Sequence, residues 1–164
     1  MPELSIRPAS DADRPALWAI LEPVIRAGET FALPRAMTEA EAHANWCAPD
    51  RQVFVAVDAG QVVGSYYLKP NQPGGGAHVA NAGYMVAGPA SGRGVARAMG
   101  LHSLATARAQ GYRAVQFNFV VSTNAPAVHL WQSIGFQIVG RVPDAYHHAT
   151  LGYVDIFVMH KSLI

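Results

Sequence analysis

The sequence predicts a mixed α/β layer architecture in one domain, residues 1–164, and three observations predict it. Half of the 164 residues (51%) are hydrophobic and 14% are charged, enough to bury a continuous core at this length. Short β-rich apolar runs alternate with segments of helical period along the whole chain. Neither an internal repeat nor a linker interrupts that succession.

Each element follows from local signals. Leu4 to Arg7 reads as a first strand. Ser10-Asp11-Ala12-Asp13 is capping-box-like and opens a helix through Leu17, Trp18, Ile20 and Leu21, which Pro23 should kink or end. After a loop from Gly28 to Pro34, Thr38-Glu39-Ala40-Glu41 caps a short helix carrying His43, Trp46 and Cys47. Val53–Val57, the turn Asp58-Ala59-Gly60 and Val62–Leu68 form an antiparallel hairpin. Pro70 to Gly76, with three successive glycines, reads as a flexible connection, and His78–Val86 as the next strand. A long helix begins near Gly94, passes Met99, Leu101, Leu104 and Ala105, and stops at Gly111. Val115–Val121 is a strand. Thr123 or Asn124 caps a further helix with Pro126 in its first turn and Gly135 at its end. Phe136–Gly140 and Tyr153–His160 supply the last two strands, leaving 143–152 as a loop.

Composition excludes several function classes. Twelve Lys+Arg against eleven Asp+Glu give a net charge of +1, so no global field recruits nucleic acid or an anionic membrane. Apolar runs such as Val53–Val57 fall far short of the roughly 20 residues that span a bilayer. Met1-Pro2-Glu3 has no leader pattern, so a cytoplasmic location is expected. Cys47 is the single cysteine, which removes disulfides and multi-cysteine metal sites. The charge is uneven: residues 1–58 carry five basic and nine acidic side chains, residues 59–164 seven and two. An anionic ligand is therefore expected at the C-terminal part.

The chemical signal is Tyr84-Met85-Val86-Ala87-Gly88-Pro89-Ala90-Ser91-Gly92-Arg93-Gly94-Val95-Ala96-Arg97, a strand running through a glycine-rich turn into a helix. Small residues there let an anion approach the main chain, and free N–H groups of the helix start can donate to phosphate oxygens. It is no Walker loop, because Gly-Lys-Ser/Thr is missing, and Arg97 stands where the dinucleotide fingerprint needs a third glycine.

A second segment follows in order: Asn124-Ala125-Pro126-Ala127-Val128-His129-Leu130-Trp131-Gln132-Ser133-Ile134-Gly135-Phe136. Together the two resemble the GNAT superfamily of acyl-CoA N-acyltransferases over roughly Val53 to Ile164. Gly28-Glu29-Thr30-Phe31, Phe117-Asn118-Phe119 and Gly152-Tyr153-Val154-Asp155 look like the branch acting on small amines and amino acids, including azetidine carboxylate and phosphinothricin acetyltransferases. The resemblance implies a mostly antiparallel central sheet with helices on both faces and a splayed parallel pair, Tyr84–Val86 beside Val115–Asn118. It implies acetyl-CoA (coenzyme A) as co-substrate, entering between those strands. The main chain of Met85 and Val86 would pair with the pantetheine amides. Ser91, Gly92, Arg93, Gly94, Val95, Ala96 and Arg97 would hold the pyrophosphate, and Asn124, Ala127 and Trp131 the arm.

Three positions depart from that pattern. Ser91 replaces an Arg or Gln at the loop entry, with Arg93 and Arg97 nearby to compensate. Trp131 stands where a tyrosine acid often is, and an indole N–H cannot protonate a thiolate. Asn81 stands where a glutamate base often is, and an amide accepts no proton at working pH. Catalysis is therefore expected from positioning, with the Val86 N–H polarising the acyl oxygen, Asn118 orienting the amine, and Tyr84 as the better-placed polar side chain. Asn118 meets the cleft only if Phe117 and Phe119 face the opposite layer.

The acceptor pocket is assigned to Glu29, Thr30, Phe31, Tyr84, Asn118, Tyr146 and Tyr153, apolar walls with hydroxyl handles. His78 reads as surface, Cys47 as core, and His147-His148 with Asp155 lacks helical ligand spacing, so no metal is assigned. The expected activity is N-acetylation of a small amine, an amino acid or analogue, by direct transfer in a ternary complex. Alternatives are a peptide or protein N-acetyltransferase and a non-catalytic acyl-CoA sensor. A homodimer using the last strands is implied by the resemblance.

Overall fold

The structure is a computed structural model that describes residues 3–164, so Met1 and Pro2, part of the leader argument, lie outside the described residues. Its elements are β1 (Ser5–Pro8), α1 (Arg14–Ala27), α2 (Glu39–Trp46), β2 (Gln52–Asp58), β3 (Gln61–Pro70), β4 (Val79–Val86), α3 (Val95–Ala109), β5 (Ala114–Val121), α4 (Ala125–Ser133), β6 (Gln137–His148) and β7 (Gly152–Ser162). No described helix is long and apolar enough to cross a membrane.

The strands form one sheet in the order β1-β2-β3-β4-β5-β7-β6. Every pairing is antiparallel except β4 with β5. Period-two alternation sorts the strand side chains onto two faces. Val55 joins Leu17, Ile20, Leu21, Ile25 and Trp46 under α1 and α2, while its neighbours Phe54 and Ala56 join Met99, Leu104, Trp131 and Ile134 under α3 and α4. The sheet is thus covered on both sides, as the fold class requires. Gly64 allows α3 to lie close: a Cβ there would stand 2.9 Å from Met99 Cε.

The helix starts follow their sequence signals. Thr38 Oγ1 accepts from the Glu41 N–H at 3.2 Å, and the Glu41 carboxylate accepts from the Thr38 N–H at 2.8 Å, a reciprocal capping box. Asp13 accepts the Ser10 N–H at 2.8 Å, although a 3₁₀ turn at Asp11–Asp13 precedes α1. Asn124 stands at the N-cap of α4 without a side-chain capping bond, so that expectation is half met: the amide is left to the cavity described below.

Three expectations are corrected. Pro23 lies inside α1 and does not end it. The buried stripe Leu17, Ile20, Leu21, Ile25 runs through the proline, and packing outweighs the lost hydrogen bond. Pro70–Gly76 is in part ordered structure, since Pro70 pairs with Ala80 in the sheet and Gly74–Gly76 form a 3₁₀ turn. The 143–152 segment is no closing loop: β6 extends to His148 and pairs Tyr146 with Val154. Pro143 and Asp144 read as a turn because they form a bulge, with Asp144 at φ 50° between two registers of one ladder.

Candidate active site

The parallel pairing of β4 with β5 is confined to Val79 opposite Ala114 and Ala80 opposite Val115. Beyond it the strands part, and the Asn81 Nδ2 donates to the Gln116 carbonyl at 3.0 Å at the root of the opening. The side chain of Asn81 is buried there, so it acts as a pin between the strands. Alternation decides which amides face the gap. The Ala87 N–H donates to the Val63 carbonyl on β3, so the amides of Tyr84 and Val86 point the opposite way, toward the edge that β5 has left. Met85 presents its amide to β3 instead, which leaves Val86 as the strand donor of the expected pair.

At the end of β4 the chain turns through residues 87–94 into α3. Gly92 and Gly94 have φ of 75° and 83°, a region that favours glycine, and a Cβ at either would meet nothing within 4 Å. The first helical bond is from the Ala98 N–H to the Gly94 carbonyl, so the N–H groups of Val95, Ala96 and Arg97 have no acceptor within the helix. They form an open, glycine-flanked helix N-terminus suited to an anion. Ser91 is exposed at the loop entry. Arg93 pairs with Asp58 at 2.9 Å and Arg97 donates to Ser133 Oγ at 3.1 Å, so neither guanidinium stands free.

A cavity of about 300 Å³ lies at the fork, between the 30–33 segment, the end of α2, and strands β3, β4 and β5. Of the residues assigned to the acceptor, Thr30, Phe31, Tyr84 and Asn118 line it, as do Asn124 and Trp131 of the cofactor set. Glu29 stays exposed outside the lining. Tyr146 acts one step removed: its buried ring supports the wall, and its hydroxyl donates to the Phe31 carbonyl at 3.0 Å. Tyr153 is 67% exposed and stacks on His147, so it is not a pocket wall. Ala127 packs half-buried against the α3/α4 core.

Tyr84 offers the cavity its ring. Its hydroxyl donates to Ser103 Oγ at 2.6 Å, and Ser103 donates on to the Gly100 carbonyl at 2.7 Å. Burial pushes the phenol well above the usual tyrosine range. An expected hydroxyl handle is thus turned into the sheet–α3 interface. The ring lies between Tyr66, stacked on it at 5.5 Å, and Trp131, tilted against it at 4.6 Å.

Asn118 reaches the cavity by a route the alternation rule misses. A register slip in the pairing of Phe117 to Val120 with β7 breaks the period. Phe117 packs on Phe136 and Trp131, while Phe119 is exposed beside Tyr146. The Asn118 amide donates to Asn71 Oδ1 at 2.6 Å and accepts from Gln116 Nε2 at 3.0 Å, which fixes its orientation at the cavity edge.

Residues not anticipated from sequence are Asn45 and Arg51, which flank the α2–β2 connection, and Tyr67 on β3. Arg51 lies over the Tyr67 ring at 4.0 Å, and the Trp46 ring meets Tyr67 edge-on at 4.9 Å. Gly83 makes room for this stack, since a Cβ there would stand 2.6 Å from Tyr67 Cε1. A basic residue just before a strand, opposite an aromatic on the neighbouring strand, was the available signal. No group of His, Cys, Asp and Glu among the described residues could hold a metal.

Comparison with known proteins places this geometry. Residues 17–136 match the model described as "Acetyltransferase (GNAT) family". A GCN5-related N-acetyltransferase from Kribbella flavida superposes with a TM-score of 0.93 and 48% identity, over 97% of each chain. A phosphinothricin acetyltransferase from Sinorhizobium meliloti, solved in complex with AcCoA, shares the fold with a TM-score of 0.86 at 18% identity, covering 97% of this chain and 88% of its own. N-acetyltransferase aca1 of Schizosaccharomyces pombe is 32% identical over 98 residues, which is 59% of this chain. The chain spans about half of that relative's length, 47%.

Proposed function

Since the chain belongs to the GNAT acetyltransferase family, we propose that it is an N-acetyltransferase carrying the acetyl group of acetyl-CoA to the amine of a small molecule, an amino acid or analogue, by direct transfer in a ternary complex. The observation that carries this reading is the fork: strands β4 and β5 separate after Ala80 and Val115, a cavity opens at the gap, and β4 ends in a glycine-flanked helix N-terminus.

The residues present fit coenzyme A. The free amides of Val95, Ala96 and Arg97, reached past Gly92 and Gly94, suit a diphosphate, and a Cβ at either glycine would project into that open space. The edge amides of Tyr84 and Val86 suit an amide-bearing arm laid along β4 as an added strand, with Asn124 and Trp131 at its side. Bound there, acetyl-CoA supplies a thioester carbonyl already reactive toward a neutral amine.

The chain's own contribution is then to hold and orient. The edge amides of Tyr84 and Val86 have no strand partner, so with one of them given to the arm the other is left as a donor for the acyl oxygen. Asn118, fixed by Asn71 and Gln116, keeps one amide hydrogen and one lone pair for the acceptor. Neither Tyr84, bound to Ser103, nor Asn81, bound to Gln116, is free to move a proton, so the proton lost by the amine leaves through another group or through solvent. The 30–33 wall is tied to β6 by Tyr146 and to the β6–β7 turn by the Ala149 N–H donating to the Gly28 carbonyl at 3.0 Å, which favours a small acceptor over an extended peptide. The same reading carries a homodimer through the last strands and a cytoplasmic setting.

Thiol release from acetyl-CoA across a panel of free amino acids, simple amines and peptides tests the proposal. Turnover with free amines is expected; turnover with peptides alone would favour a protein acetyltransferase, and binding without turnover a sensor. Asn118→Ala should lower kcat about tenfold or more with unchanged acetyl-CoA affinity. Wild-type kinetics would remove Asn118 from the chemistry.

A further inference from the structure

Among the described residues lining the cavity, one carries a full charge: Arg51. Its side chain is 15% exposed, and its Nε is buried with no hydrogen-bond partner. Asp50 stands 4.0 Å from that nitrogen, beyond hydrogen-bond reach, and is shared with Lys69 at 3.5 Å. No described side chain accepts a hydrogen bond from the guanidinium, whose Cζ lies over the Tyr67 ring, 4.0 Å from its centroid, at the cavity wall. A guanidinium cannot lose its proton to escape burial, so an incompletely paired one is retained against a desolvation cost.

We propose that Arg51 anchors a carboxylate on the acceptor, and so makes amines that carry a carboxylate the preferred substrate class. The inference rests on the acetyl transfer proposed above and adds to it the residue that selects the acceptor. The planar fork of Arg51 presents paired donors that match the two oxygens of a carboxylate. Contact with the Tyr67 ring, itself held by Trp46 and given space by Gly83, restrains the guanidinium before ligand arrives. Asn45 adds a neutral amide on the same side. No Asp or Glu lines the cavity among the described residues, so an ammonium finds no counter-ion, and the nearby cation favours the neutral amine that attacks. A polyamine would meet the wrong field.

The test compares free amino acids with their amides and their decarboxylated amines on wild-type protein, Arg51→Gln and Arg51→Lys. Two readouts are taken: thiol release with acetyl-CoA, and quenching of tryptophan fluorescence without it, since Trp46 and Trp131 both line the cavity. Wild type should prefer the acid over its amide and amine by about tenfold or more in KM and in Kd. Arg51→Gln should raise KM for the acid about 10- to 100-fold, erase the preference, and leave the acetyl-CoA KM unchanged, with Arg51→Lys retaining part of it. Equal losses for acid, amide and amine in Arg51→Gln would overturn the proposal and make Arg51 a brace for Tyr67. Indifference of the wild type to the carboxylate would overturn it whether or not the variants fold. Absence of turnover with any amine, alongside carboxylate-dependent quenching lost in Arg51→Gln, would sink the transfer reading and leave the anchor standing.

Discussion

Asn81 holds the narrowest point of the fork through one hydrogen bond from its Nδ2 to the Gln116 carbonyl. A carboxylate cannot donate that bond. Asn81→Asp should therefore set oxygen against oxygen in a buried place and cost about 1–3 kcal/mol, read as a lowered urea midpoint near neutral pH and partly recovered in acid as the new carboxyl protonates. Asp13 offers the opposite pH signature. Its buried carboxylate receives both arms of Arg7 at 2.8 Å and the Ser10 N–H, and the Arg7 hydrogen bonds hold it at about 2 against an ordinary 3.8. A lowered folded-state value stabilises the fold at pH above the ordinary carboxylate range and loses that contribution as pH falls from about 4 through about 2. With Arg7 half in solvent, the contribution is about 1–2 kcal/mol, and Asp13→Asn should remove it at pH 7 but make little difference near pH 2. Denaturant titrations at the two pH values measure the difference. The site is least legible in the sequence at single residues. Arg51 carries no motif, and its meaning comes from Tyr67 and Gly83, which only strand pairing brings beneath it.

At the scale of elements, the segment from β4 to α3 was the most legible, because its signals are local. Glycines at positive φ, a proline in the turn and a helix start specify the geometry within a dozen residues. Gly94→Ala would force an L side chain to φ 83° and place a methyl group at the helix mouth. We expect a stability loss of about 1–2 kcal/mol together with about tenfold or more weaker coenzyme A binding, measured by calorimetry on protein shown to be folded. Unchanged affinity would exclude this helix end from the diphosphate site. Local signals mislead where tertiary pairing overrides a breaker. Pro23 stays in α1 because the buried stripe continues past it, and Pro143-Asp144 stays within β6 because β7 pairs on either side of the bulge. The acceptor wall was partly legible for the same reason. Phe31 and Tyr146 both read as wall residues, yet what joins them is a contact across 115 residues that no local pattern encodes.

Across the whole molecule, charge separates less cleanly than the sequence tally implies. The acidic first part contributes Arg51 to the cavity, and the basic second part has Arg93 engaged by Asp58 of the first. Counting charges along a chain cannot anticipate which of them a sheet will bring face to face. At the far edge, β6 leaves Ile138, Val139 and Val142 uncovered, with Val139 60% exposed. If that edge seats a second copy, Val139→Glu should halve the mass seen by sedimentation without changing the far-ultraviolet spectrum of the fold. The bond from Tyr146 to the Phe31 carbonyl then has a kinetic consequence. It fastens the acceptor wall to the same hairpin that would form the seam, so dissociation would slacken the pocket, and turnover per molecule should decline as the enzyme is diluted. A progress-curve series over three decades of enzyme concentration would make that coupling visible, with Tyr146→Phe flattening the dependence.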